Sequence, residues 1–202
     1  MKLKMSEKEE DLKKTNDSPP QLDLSDFDFE TKCKTVCLYG EIAEEVSKEI
    51  ISSLYFFNDN EFLKEKPINF LITTEGGNVQ DMFAIYDCMR DIKSKCNIQT
   101  YGVGKVMSAG VLLLAAGSKG FRKLGRNCRL MLHPVSGGQF GSLSELETDI
   151  KEVRWYQTQF IKALAHETKM PLEKIHKIFD GREDIYFNAE EALKWGIVDE
   201  LI

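Results

Sequence analysis

Between Ile98 and Gly117 an apolar run passes through small residues into a block of leucine and alanine. Ile98 to Val103 reads as a short buried strand. Gly104-Lys-Val-Met-Ser108-Ala-Gly110 turns the chain, and Ser108 opens a segment apolar enough to require a buried helix. A serine at such a turn sits beside unpaired backbone N–H groups and the positive end of the helix dipole. Both favour negative charge, the kind that develops in acyl transfer. Serine is also a common helix N-cap, so a purely structural role is the competing reading.

A partner follows. Cys128-Arg129-Leu130-Met131-Leu132 reads as a strand that delivers His133 to a loop just before Pro134. With an ordinary pKa of about 6.5, an imidazole placed there is suited to act as a general base. A histidine at a strand end is equally a common surface residue. The pair carries more weight than either member.

An earlier stretch repeats the arrangement. Ile68 to Thr73 predicts a strand, Thr74-Glu75-Gly76-Gly77 a turn, and Val79, Met82, Phe83, Tyr86 and Met89 share one face of a helix. A glycine pair lets backbone N–H groups approach a ligand closely, as an oxyanion hole requires, and also makes a plain tight turn. It is neither a Walker A nor a dinucleotide loop, because the lysine and glycine spacings are absent.

The remaining chain alternates strands and helices, which indicates an α/β domain. Lys34 to Tyr39 predicts a first strand closed by Gly40, and Ile42, Val46, Ile50 and Leu54 a helix ended by Asn58-Asp59-Asn60. After the glycine-rich stretch Ser136 to Ser142, the stripe of Leu143, Leu146, Ile150, Val153, Phe160 and Leu164 predicts a helix of about seven turns. Such a helix either projects onto another chain or crosses the core. Pro171 starts a short helix ending near Phe179, Asp180 to Asp184 is a polar turn, Ile185 to Phe187 a strand, and Asn188 caps a helix stopped by Gly196. His166 and His176 fall on helices and are expected to face solvent.

At 202 residues the chain has room for one substantial core. Its net charge of -6 argues against a nucleic-acid partner. No apolar run approaches the roughly 20 residues of a membrane span, and residues 1–20 lack the apolar centre of a signal peptide, so the expected location is cytoplasmic. The five cysteines, Cys33, Cys37, Cys88, Cys96 and Cys128, are odd in number with no Cys-x-x-Cys spacing, as suits reduced thiols. No zinc-binding pattern occurs among the three histidines, and no metal or cofactor is expected. Residues 1–25 are charged and contain Pro19-Pro20, which predicts a flexible segment.

Four stretches, in order, resemble ClpP-type peptidases, the proteolytic subunits of ATP-dependent Clp proteases. They are Thr74-Glu-Gly-Gly77, Gly104 to Gly110 with its Leu-Leu-Leu-Ala-Ala-Gly sequel, Met131-Leu-His-Pro134, and Asp184 through Asp199 with Asn188-Ala-Glu-Glu-Ala and Trp195-Gly-Ile-Val-Asp199. The likeness runs from about Lys34 to the C-terminus. It implies the ClpP/crotonase-like α/β spiral of ββα units, with a peptidase domain over residues 26–202 and a projecting handle over about 136–168, its glycine-rich part matching a strand. It also implies Ser108 as nucleophile, His133 as general base, Asp184 as the residue orienting the imidazole, and the N–H groups of Gly77 and Ala109 as the oxyanion hole. Composition alone could not prefer Asp184 to Asp180.

The implied protein is a serine endopeptidase that cleaves unfolded polypeptides inside a homo-oligomeric chamber of two stacked heptameric rings, fed by an AAA+ unfoldase. Residues 1–25 would then be an axial gate or a propeptide. Three departures stand out: Glu75 replaces the family's usual proline, placing a carboxylate near the oxyanion turn; Ala109 replaces methionine after the serine; and the N-terminal segment lacks an apolar tip. Two rivals remain, a non-catalytic ring subunit, mildly favoured by Glu75, and a crotonase-type acyl-CoA enzyme, disfavoured by the Ser-His-Asp set.

Overall fold

The computed structural model describes residues 34–59, 66–138 and 140–202; the expected flexible segment over residues 1–25 lies outside them. Among the described residues seven strands form one sheet. Parallel β1 (Thr35–Ile42), β2 (Ile68–Gly77), β3 (Ile98–Met107), β4 (Arg122–Leu124) and β7 (Glu200–Leu201) lie side by side in that order. Beside them, β5 (Arg129–Leu132) runs parallel to the last part of β3, and β6 (Ile185–Phe187) pairs antiparallel with β5. The helices are α1 (Glu44–Asp59), α2 (Val79–Ile92), α3 (Ala109–Ala115), α4 (Leu143–Glu167), α5 (Leu172–Phe179) and α6 (Ala189–Lys194). This is a mixed α/β fold with a parallel sheet and helices, consistent with the fold that the resemblance implies.

Side-chain period decides which face each element buries. Along β2, Ile68, Phe70, Ile72 and Thr74 turn inward while Asn69, Leu71 and Thr73 are half-buried on the other face. Asn78 then starts α2, its side-chain oxygen accepting the N–H groups of Gln80 at 2.7 Å and Asp81 at 3.2 Å. Met82, Ile85, Tyr86, Met89 and Ile92 form the buried face of that helix. Every residue of α3 is buried, as a helix apolar all round must be, and it packs against β2, β3, α2 and α4.

Three strands run further than their glycines suggest. β1 continues through Gly40 to Ile42, β2 through the glycine pair to Gly77, and β3 through Gly104 to Met107. Gly40, Gly76, Gly77 and Gly104 all have positive φ, and the registers of β1 with β2 and of β2 with β3 shift beside them. Glycine here lets neighbouring strands bulge together instead of ending. Ile42 is therefore the fully buried last residue of β1 and not part of a helix stripe; α1 buries Ser47, Ile50, Leu54 and Phe57. Beyond the bulge β3 changes partner. Thr100 to Gly102 pair with β4, whereas Lys105 to Met107 pair with β5.

The long helix α4 has two unlike ends. A capping box of Ser142 and Glu145 starts it, but its buried residues begin only at Phe160. Leu143 is 74% exposed and Ile150 and Trp155 are each 54% exposed, so the first half of the apolar stripe faces away from this chain's core. Its last residue, Glu167, is buried. Glu167 accepts hydrogen bonds from Tyr86 Oη at 3.1 Å and Lys119 Nζ at 3.3 Å, with Lys93 Nζ at 3.5 Å. Burial pushes its carboxyl pKa up, but Lys93 and Lys119 outweigh that and hold it below the ordinary range. The described residues of the glycine-rich stretch 136–141, matched by resemblance to a strand, are in no regular structure. No described strand lies alongside to accept their backbone groups. His166 and His176 are exposed, as expected.

Candidate active site

The pairing of β3 with β5 assembles the site. Met107 lies opposite Met131, and the N–H of Ser108 donates to the Met131 carbonyl at 2.7 Å. That bond sets the serine, one residue past β3, beside the histidine that follows β5. Ser108 Oγ lies 2.8 Å from His133 Nε2. Both residues are half-buried, within reach of solvent but flanked by the sheet.

Ser108 precedes α3 as its N-cap, yet its hydroxyl makes no capping bond. Its backbone has φ 53° and ψ -123°, a left-handed region that an L-residue enters at about 1–3 kcal/mol. Sharp strand-to-helix turns of this kind expose a nucleophilic serine in many hydrolases. The structural explanation of Ser108 as an ordinary cap therefore fails. Its side chain is turned from the helix to the imidazole.

The glycine pair lies against the serine, but its members act differently. A Cβ on Gly76 would sit 2.6 Å from Ser108 Cβ and 3.2 Å from Oγ. A Cβ on Gly77 would sit 2.2 Å from the Ile42 carbonyl oxygen. So Gly76 meets the serine, and Gly77 follows where β2 closes on β1. The resemblance names only Gly77 of the pair as a donor. Strand alternation separates the two, since Gly76 shares the inward face of Ile72 and Thr74. Ala109 is the buried first residue of α3.

Glu75 does not threaten this turn. It lies on the opposite face of β2 from Gly76, 72% exposed, and pairs with Lys105 Nζ. The hydrogen bond from Lys105 holds its carboxyl below the usual range. The expected carboxylate beside the oxyanion turn is thus directed to solvent and a cation.

Asp184 is not brought into hydrogen-bonding contact with His133 among the described residues. The β5–β6 ladder pairs Leu130 with Phe187, Met131 with Tyr186 and Leu132 with Ile185. Asp184 is the next residue out, exposed, between a bend and β6. One more rung of the same register would set it opposite His133.

Other features lie elsewhere. A groove of ≈ 680 Å³ between α2 and α4, lined in part by Phe83, Tyr86, Arg90, Trp155, Tyr156 and His166, includes neither Ser108 nor His133. Among the described residues no three His, Cys, Asp or Glu side chains cluster as metal ligands. None of their helices is long and apolar enough to cross a membrane.

Known proteins share this arrangement of sequence. The family model described as Clp protease matches residues 26–202. The chain is also similar to the ATP-dependent Clp protease proteolytic subunit 2 of Chlamydia pneumoniae, with 32% identity over 171 residues, 85% of this chain and 81% of that protein.

Proposed function

The chain belongs to the Clp protease family and is a serine peptidase, and we propose that Ser108 is its nucleophile, His133 its general base and Asp184 the group that orients the imidazole. The 2.8 Å approach of Ser108 Oγ to His133 Nε2 carries this reading. The seryl oxygen attacks the scissile carbonyl while Nε2 takes its proton. Collapse of the tetrahedral intermediate breaks the C–N bond, and the imidazolium returns the proton to the leaving amine. Water then enters by the same general-base route and hydrolyses the acyl-enzyme.

The N–H groups of Gly77 and Ala109 are proposed to hold the oxyanion. Each such donor is worth about 2.7–4 kcal/mol of transition-state stabilisation in comparable sites. Asp184 is proposed to accept from Nδ1 once the β5–β6 ladder extends by its next rung, fixing the ring with Nε2 free to accept from the serine.

Unfolded polypeptides inside a homo-oligomeric chamber are the proposed setting, with two stacked heptameric rings in the cytoplasm. The exposed apolar side chains Leu143, Ile150 and Trp155 on a projecting helix support self-association. The relative's name describes a proteolytic subunit of an ATP-dependent protease. Since this chain shows no Walker A loop, ATP use and unfolding are assigned to an AAA+ partner. No cofactor enters the scheme. The non-catalytic alternative loses its main support, because Glu75 pairs with Lys105 away from Ser108. Hydrolysis of a short fluorogenic peptide tests the reading: wild type turns over, and Ser108→Ala and His133→Ala each lose roughly 10⁴-fold or more in kcat. An assembled wild-type protein without turnover would contradict it.

A further inference from the structure

One buried side chain joins the bulges of β1 and β2 to the first turn of α3. Thr74 is fully buried. Its Oγ1 accepts the Gly76 N–H at 2.9 Å and lies 2.5 Å from the Gly40 carbonyl oxygen and 3.3 Å from that of Gly76. A hydroxyl has one proton to give, and the nearer Gly40 carbonyl receives it. The strand register explains the meeting. Tyr39 pairs with Thr73 and Glu41 with Gly76, so Gly40 faces the extra residues Thr74 and Glu75. The γ-methyl of Thr74 fills the space left by a glycine of α3, where a Cβ on Gly110 would lie 2.3 Å from it.

We propose that Thr74 is a positioning residue, whose hydroxyl clamps the two bulges and so holds the Gly76–Gly77 backbone against Ser108 in the geometry that the transition state requires. The inference rests on the peptidase reading above. Gly76 touches the serine side chain, and the next N–H along, that of Gly77, is a proposed oxyanion donor. A swing of this peptide alters the donor angle and the seat of Oγ together. Thr74 itself touches no reacting atom and acts wholly through its neighbours. Loss of the hydroxyl strands the buried Gly76 N–H and releases the Gly40 carbonyl at the surface end of the clamp, and the glycines, having no side chains to restrain them, are free to re-aim.

Thr74→Val keeps the shape and removes the hydroxyl, whereas Thr74→Ser keeps the hydroxyl and removes the methyl. Both are compared with wild type on a short peptide, at a temperature where circular dichroism shows every protein folded. Thr74→Val should lower kcat by roughly 10- to 100-fold with KM unchanged, since a misplacement of about 1 Å is on that scale. A peptide boronate, which forms a tetrahedral adduct on serine, should lose affinity by the same factor. Thr74→Ser should keep wild-type kcat to within a few-fold. Equal kcat in Thr74→Val and wild type overturns the proposal, as do equal losses in both variants or a rise confined to KM. Should Thr74→Val not fold, Thr74→Cys offers a weaker hydrogen-bonding group in place of the serine hydroxyl. A kcat clearly below that of Thr74→Ser supports the clamp, and an equal kcat overturns it. Wild type unreactive toward both peptide and boronate sinks the peptidase reading and this inference together; reactive wild type with an indifferent Thr74→Val sinks only the inference.

Discussion

The two flanks of His133 are built in different ways. On the β3 side, Ser108 is held by the Met131 carbonyl, by Gly76 and by a buried helix behind it. On the other side, Asp184 is exposed, and the described residues from Ser136 to Gly141 are exposed with no strand beside them. One flank is set by the chain's own backbone hydrogen bonds and close packing. The other offers exposed backbone that pairs with no described strand. In the proposed mechanism, which uses both flanks, self-association that engages the second flank would become part of catalysis.

The largest effect tests that contrast directly. In assembled protein, Asp184→Asn should lower kcat by roughly 10³–10⁴-fold, the scale seen when an imidazole loses its orienting carboxylate. Ile150→Lys with Val153→Glu, placed on the half of α4 not buried in the core, should release smaller folded species in sedimentation velocity. Their activity should fall on the order of 100-fold through drift of His133. Adding Asp184→Asn to that pair should then cost little more, because the interaction it removes is already absent. Full additivity, or separated species with undiminished activity, would show that both flanks are set within each subunit.

Next comes the built flank. Gly76→Ala puts a methyl 2.6 Å from Ser108 Cβ at a backbone φ of +101°, so either the serine or β2 must move. Peptide turnover should fall by about 100-fold or more. The neighbouring Glu75→Gln, on the opposite face, should leave kcat unchanged. Equal effects from these adjacent residues would mean that the strand alternation does not govern the site.

The secured end of α4 gives a smaller effect, on stability. Glu167→Gln should lower unfolding free energy at pH 7 by about 1–3 kcal/mol, read by urea titration, because a buried charge-assisted cluster loses its anion. Since the folded pKa of Glu167 is depressed, its contribution is complete above the unfolded value of about 4.3. It fades as pH falls through the lower folded value, so the gap between wild type and variant should close in acid. A gap that widens on acidification would reverse the assigned shift.

Much of this molecule is legible in the residues themselves. The apolar block after Ser108 could only be a buried helix, and Asn188 marks a helix start that the structure finishes with a capping box. Ser108 and His133 stand out because each sits at the end of a strand, and pairing those strands makes them meet. The bulges are less legible. Glycine ordinarily weakens strands, and only the register of three neighbours shows that Gly40, Gly76 and Gly104 let them continue. Ile42 fits a helical spacing by coincidence, four residues before Val46. β4, three residues long, leaves no periodic trace. The stripe on α4 states that burial is wanted but not against what. Asp184 came from resemblance alone, and it is the triad position that the single chain leaves outside the ladder.

Labelling with a fluorophosphonate, followed by intact mass, tests the serine–histidine pair most directly. The expected result is one adduct per chain, located at Ser108, absent in Ser108→Ala and slowed by orders of magnitude in His133→Ala. Assembled wild-type protein that stays unlabelled over hours, or an adduct on a different residue, would contradict it.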